Sequence, residues 1–197
     1  MKHRNAILSF TAVLALAACA TVPPQSQQLA ANFKAMQPTS GLAKEMTMEE
    51  AERIRDGLVA ELSASQGKAV GYKAGLTNPA VQKRFGTTSP VRGVLLEKML
   101  LEDGAEVPAK FGVIPFFEAD IVAVVKDEGI NQAKTPAEVI KHLASIRPFI
   151  ELPDLVTAKE QPLSAAIITS FNVGARLGVL GKPIAATPEL ADALGKM

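Results

Sequence analysis

The residues of this chain that can do chemistry are few and mostly acidic. Glu118 and Asp120 stand two apart within residues 116–125, the longest β-like stretch, so both point to one face of a strand. Two carboxylates on one face of an apolar strand repel each other and are costly to bury unless something positive lies between them. Glu151 poses the same problem inside Phe149-Ile150-Glu151-Leu152. Three such acids can form an all-oxygen site for one hard divalent cation. Spacing alone also allows each acid to sit on the solvent face of a half-buried strand, which is the commoner use of an acid-X-acid pair. Lys73 lies in Gly71-Tyr72-Lys73-Ala74-Gly75, where glycines on both sides let the backbone approach a ligand or another strand. A Lys near a metal can serve as an acid or as a cation for a substrate carboxylate. On its own, the string reads first as a surface Lys in a Gly-rich turn. It is not a phosphate loop, because Gly-X-X-X-X-Gly-Lys is absent. His142 is expected at a helix surface or boundary, and Tyr72 is expected to pack.

Elements must position these groups. Thr47-Met48-Glu49-Glu50 has capping-box spacing, and Ala51, Ile54, Leu58 and Leu62 fall on one face, which predicts a helix over 48–65. Residues 69–73 and 93–96 read as strands. Asn78-Pro79 reads as the start of a short helix that Gly86 stops. Asp103-Gly104 is a turn. Thr135-Pro136 opens an amphipathic helix that Arg147-Pro148 ends, followed by a strand over 149–152. Residues 165–169 and 177–180 are further β-like runs. Helices and strands mix without regular βαβ alternation, so the fold class is α+β.

Composition narrows the function. Of 197 residues, 48% are hydrophobic and 21% charged, enough for a packed core. Lys plus Arg is 21 against 20 acids, a balance that excludes a general nucleic-acid binder. One Cys and 2 His exclude a disulfide framework, a Cys-rich zinc site and a multi-His metal centre. The one Cys, Cys19, has a telling position. Lys2, His3 and Arg4 precede an apolar run over 6–18, too short to span a bilayer comfortably and the right length for a signal-peptide core. Leu16-Ala17-Ala18-Cys19 resembles a bacterial lipobox. The expected organisation is a signal peptide over 1–18, a lipidated tether over 19–41 with room for one short helix inside it, and a folded domain over 42–197. Ala20 after the Cys fits an outer-membrane lipoprotein of the cell envelope facing the periplasm, and an ordinary secretory signal is the alternative.

Several segments together resemble the 2-keto-4-pentenoate hydratase group of the fumarylacetoacetate hydrolase-like superfamily. Gly71-Tyr72-Lys73-Ala74-Gly75-Leu76-Thr77, the helix that follows and Pro90 to Gly93 are similar to one family segment. Phe117-Glu118-Ala119-Asp120-Ile121 is similar to its acid-X-acid metal strand, with Asp120 where Glu is usual. Arg147 to Asp154 resembles the segment with the third acid, and Asn172 with residues 177–181 the Asn-rich turn and next strand. The resemblance runs from about residue 48 to the end. It implies a helical segment followed by a mixed β-sheet roll, incomplete at the C-terminus, since the family pattern continues for several strands. It implies Mg2+ or Mn2+ held by Glu118, Asp120 and Glu151, with Lys73 catalytic. The implied activity is metal-dependent hydration of short unsaturated 2-oxo or 2-hydroxy-dienoic acids, of the kind met in aromatic catabolism. A decarboxylase or acylpyruvate hydrolase would share these acids. Residues 165–171 lack the family's acidic stretch. That departure, with the export signal, keeps open a non-catalytic envelope lipoprotein that retains the fold as a binding module. The resemblance leaves room for a homo-oligomer.

Overall fold

The computed structural model describes residues 22–194; the signal-peptide and Cys19 expectations lie outside them. Helix α1 (Pro24–Ala35) comes first and corrects the expected tether over 19–41. Leu29, Ala30 and Phe33 are buried in the main core, and Ser26 Oγ donates to Ile54 O at 2.8 Å. The stretch is polar overall, but one apolar side chain per turn suffices to dock a helix against another. Thr39 continues the attachment by bridging Thr157. The packed part therefore begins by Pro24 rather than Leu42.

Helix α2 (Met48–Gln66) carries the expected capping box, with Thr47 Oγ1 accepting from Glu50 N. Ala51, Ile54, Leu58 and Leu62 are all buried on its inner face. Strands β1 (Ala69–Gly75) and β2 (Val91–Leu96) form a two-stranded antiparallel ribbon, with α3 (Pro79–Arg84) between them. Asn78 caps α3 through Ala80 N, and Gly86 leaves it with a φ of +72°.

A second, mixed sheet follows. Its strands are β3 (Leu100–Glu102), β4 (Glu118–Val125), β5 (Leu143–Leu152), β6 (Leu177–Leu180) and β7 (Ile184–Ala185). The order is β3-β6-β5-β4 with β7 also on β5; β3 and β6 run parallel and the other pairs antiparallel. Two expectations are corrected here. The helix expected from Pro136 to Arg147 is only α4 (Pro136–Val139) plus a 3-10 turn, and β5 starts at Leu143. Apolar residues 139, 140, 143 and 144 suit a helix locally, but β4 pairs with β5 along its whole length. Pro148 is tolerated because β6 and β7 meet β5 on either side of it, leaving its missing N–H opposite a gap. The β-like run over 165–169 is helix α5 (Ala165–Ser170), capped by Ser164. All six of its residues are buried, and a short run apolar on every side carries no period to separate helix from strand. Helix α6 (Pro188–Leu194) ends the described chain.

The main core lies between α1, α2, α5 and β2, with Leu29, Leu62, Leu96 and Ile167 at most 1% exposed. Asn172, in a tight turn after α5, fastens this core to β2. Its Oδ1 accepts from Val94 N at 2.7 Å and its Nδ2 donates to Val94 O at 2.9 Å. Its φ of +60° is one that Asn tolerates better than most residues. Among the described residues no helix is long and apolar enough to cross a membrane.

Candidate active site between the ribbon and the sheet

The β1–β2 ribbon lies over one face of the large sheet, and an open cavity of about 880 Å3 separates them. Its lining includes Lys73, Glu118, Asp120 and Glu151, all four site residues expected from the sequence. Register explains the convergence. Glu118 pairs directly with Glu151, and Asp120 with Phe149, so all four side chains project from the same sheet face. Glu118 and Asp120 are exposed on this edge strand, while Glu151 is buried at 4% exposure.

Lys73 arrives from the opposite wall. It sits across from Gly93 in the ribbon, and a Cβ at Gly93 would lie 2.9 Å from Lys73 Cγ. The glycine therefore gives the lysine stem room to cross toward the sheet. Its ammonium pairs with Glu151 Oε1, with both side chains under a tenth exposed. The surface-turn reading of Lys73 does not hold. Burial holds the Glu151 carboxyl above its ordinary range; Lys73 pulls it back, and Glu118 and Asp120 push it further up.

The donor chemistry fits a hard divalent cation: three carboxylates on one face against a single lysine leave excess negative charge. Among the described residues no three Asp, Glu, His or Cys side chains are drawn into a closed ligand set, and Glu151 is engaged by Lys73. Gathering them around an ion requires Glu118 and Asp120 to turn inward, which their exposure permits. Asp120 Oδ1 meanwhile accepts from Ile121 N at 2.7 Å.

Two residues support the site without lining it. Asp154, fully buried, accepts from Val113 N and Ile114 N at 2.8 Å each and from Arg176 Nη1 at 3.2 Å, tying the segment before β4 to the end of β5. Burial lowers the pKa of Arg176, and Asp154 opposes that shift. The sequence signalled Asp154 only by its place near Glu151, and Arg176 not at all. Tyr72 does not pack inside: it is 65% exposed, with Arg92 over its ring at 4.9 Å. His142 is half-buried at the boundary, with Nδ1 2.6 Å from Asp127 Oδ1.

No family model matches the chain. It is 36% identical to a 2-keto-4-pentenoate hydratase of Burkholderia vietnamiensis over 87 residues, 44% of this chain and 33% of that protein. It is 28% identical to a 2-oxo-hept-4-ene-1,7-dioate hydratase of Escherichia coli over 147 residues, 71% of this chain and 55% of that one. A solved 4-oxalocrotonate decarboxylase from Pseudomonas putida G7, complexed with magnesium and adipate, superposes with a TM-score of 0.72 at 20% identity, over 82% of this chain and 62% of that one. The chain thus matches between about a third and somewhat over half the length of these curated relatives. The chain therefore shares its fold with that solved decarboxylase. Over the stretch they share, the curated relatives it matches are hydratases of short 2-oxo acids.

Proposed function

We propose that this chain is a hydro-lyase domain that adds water to short unsaturated 2-oxo or 2-hydroxy-dienoic acids of the 2-keto-4-pentenoate type, giving 4-hydroxy-2-oxo acids. The observation that carries this reading is the buried Lys73–Glu151 pair facing Glu118 and Asp120 across one cavity. The hydratase names of the relatives and the magnesium in the solved neighbour support it. Glu118, Asp120 and Glu151 would hold Mg2+ or Mn2+, which supplies a Lewis acid for the carboxylate and 2-oxo oxygens of the substrate. Lys73 has two tasks. Its ammonium offsets the substrate carboxylate, and its Nζ holds a proton beside Glu151 Oε1, ready to be passed to the substrate. The ribbon wall limits water at that end of the cavity, which strengthens both interactions. A 2-hydroxy-2,4-dienoate assay with Mg2+, following loss of the conjugated chromophore, tests the reading. Metal-dependent turnover that disappears in Lys73→Ala supports it. The direct Lys73–Glu151 contact favours a second reading, a binding module in which lysine stands in for the cation; metal binding without turnover would favour that one.

We also propose that Cys19 is lipidated and anchors the protein in the cell envelope, on the outer membrane facing the periplasm. Cys19→Ser should then release the protein from the membrane fraction or leave it unprocessed. A processed, membrane-bound Cys19→Ser product would refute this.

A further inference from the structure

The cavity has charge at two places. One is the cluster around Lys73 and Glu151. The other is Arg147, which lines the same cavity. Arg147, Phe149 and Glu151 alternate along β5 and so share the cavity face. Four residues of strand put Arg147 about 13 Å from Glu151 along the floor. Phe149, Leu180 and Val122 line the cavity between them, presenting apolar surface.

Arg147 is held in place but not used up. Its side chain is 19% exposed, Nε donates to Gly181 O at 2.7 Å, and Nη2 donates to Glu102 Oε2 at 2.7 Å. Gly181 N in turn donates to Pro148 O at 2.8 Å, so the carbonyl that orients the guanidinium is itself fixed. A guanidinium has five N–H donors, and these two bonds leave others for a ligand. Glu102 is 75% exposed, and such a pair contributes little, so a competing anion can displace or share it. An oriented guanidinium at the end of an apolar passage matches a carboxylate, which it can grip with two parallel bonds.

We propose that Arg147 binds a second carboxylate at the far end of the substrate, so that this chain takes 2-oxo-dioic acids in preference to monocarboxylic 2-oxo acids of the same length. This rests on the proposed placement of the 2-oxo acid end at Lys73 and the three acids. A monoacid of five carbons leaves Arg147 facing Glu102 alone. A longer diacid covers the apolar floor and ends on the guanidinium.

The test compares 2-oxoheptanedioate with 2-oxoheptanoate, which differ only at the distal end, by titration calorimetry on the full chain with Mg2+. The diacid should bind at least about tenfold tighter, the scale of one hydrogen-bonded charge pair. Arg147→Met should bring the two ligands to near equality by weakening the diacid alone. Glu102→Gln, which removes the competing anion, should tighten the diacid and leave the monoacid unchanged; this variant keeps the test decisive if Arg147→Met does not fold. Equal affinities in the unmodified protein, or an equal loss for both ligands in Arg147→Met without any effect of Glu102→Gln, would overturn the role of Arg147 and leave the hydratase reading standing. Binding of neither ligand would bring down the 2-oxo acid reading and this one with it.

Discussion

The helical half and the β4–β5 arm are built on opposite terms. In the helical half, α1, α2 and α5 close around β2, Thr47 and Ser164 cap the starts of α2 and α5, and Asn172 satisfies both backbone groups of Val94. Strand β4 has seven of its eight residues exposed, including Glu118 and Asp120, and among the described residues its one sheet neighbour is β5. The comparison separates two tasks. Burial that stabilises the fold sits away from the candidate site, and Glu118 and Asp120 stand on a strand whose exposed side chains are free to reorganise around a ligand. The two buried members of the candidate site, Lys73 and Glu151, are those nearest the junction of the two halves.

The sharpest way to break this contrast is to delete the same kind of atoms on each side. Leu62→Ala in the helical half should cost about 2–5 kcal/mol in urea unfolding. Val124→Ala on β4, where the side chain is 36% exposed, should cost less than about 1 kcal/mol. Similar losses would show that β4 is as tightly built as the core. Asn172→Ala comes next, at about 1–3 kcal/mol, because Val94 N and O lose their partner inside the protein. At the junction, Lys73→Met should cost about 1–2 kcal/mol by stranding the Glu151 carboxylate; the open cavity lets water soften the penalty. Adding Glu151→Gln to Lys73→Met should recover most of that loss, and a purely additive double variant would argue that the pair is not coupled. Mg2+ should raise the melting temperature of the unmodified protein by mass action and leave that of Glu151→Ala unmoved.

The smallest effect concerns Asp127. A hydrogen bond with His142 is the main reason its carboxyl is held below 3.8. A depressed carboxyl stabilises the folded state above its ordinary pKa, and that contribution disappears as pH falls through the depressed value. The stability difference between the unmodified protein and Asp127→Asn should therefore be present at about pH 5 and shrink toward about pH 2. A difference that grows in acid would mean that the Asp127 carboxyl is not depressed in the folded state.

The shared face of Glu118 and Asp120 was legible in the sequence because strand alternation is a rigid rule, whereas grouping them with Glu151 and Lys73 came from the family resemblance. Two residues apart means one face, and Glu118 and Asp120 obey it. The Gly-flanked Lys73 was legible as a position of close approach, although that its partner would be Glu151 depended on how the ribbon lies over the sheet, which no local pattern encodes. The misreadings came from segments whose surroundings outweigh their own pattern. Residues 143–147 look helical until β4 is laid beside them. Residues 165–169 look like a strand until the capping by Ser164 is seen. The polar stretch after residue 22 leaves room for a short helix but hides its docking, which Leu29 and Phe33 are enough to secure.

That early docking sets a leash length. If Cys19 carries a lipid, the chain reaches Pro24 in five residues, a span of at most about 18 Å even when fully stretched. A domain held so closely has little freedom to swing or turn over. It would ride against the bilayer with the start of α1 facing the lipid headgroups. Acids reaching the cavity would then have to arrive from the aqueous side or along the membrane surface, and the anchor would act as an orienting hinge rather than a flexible string.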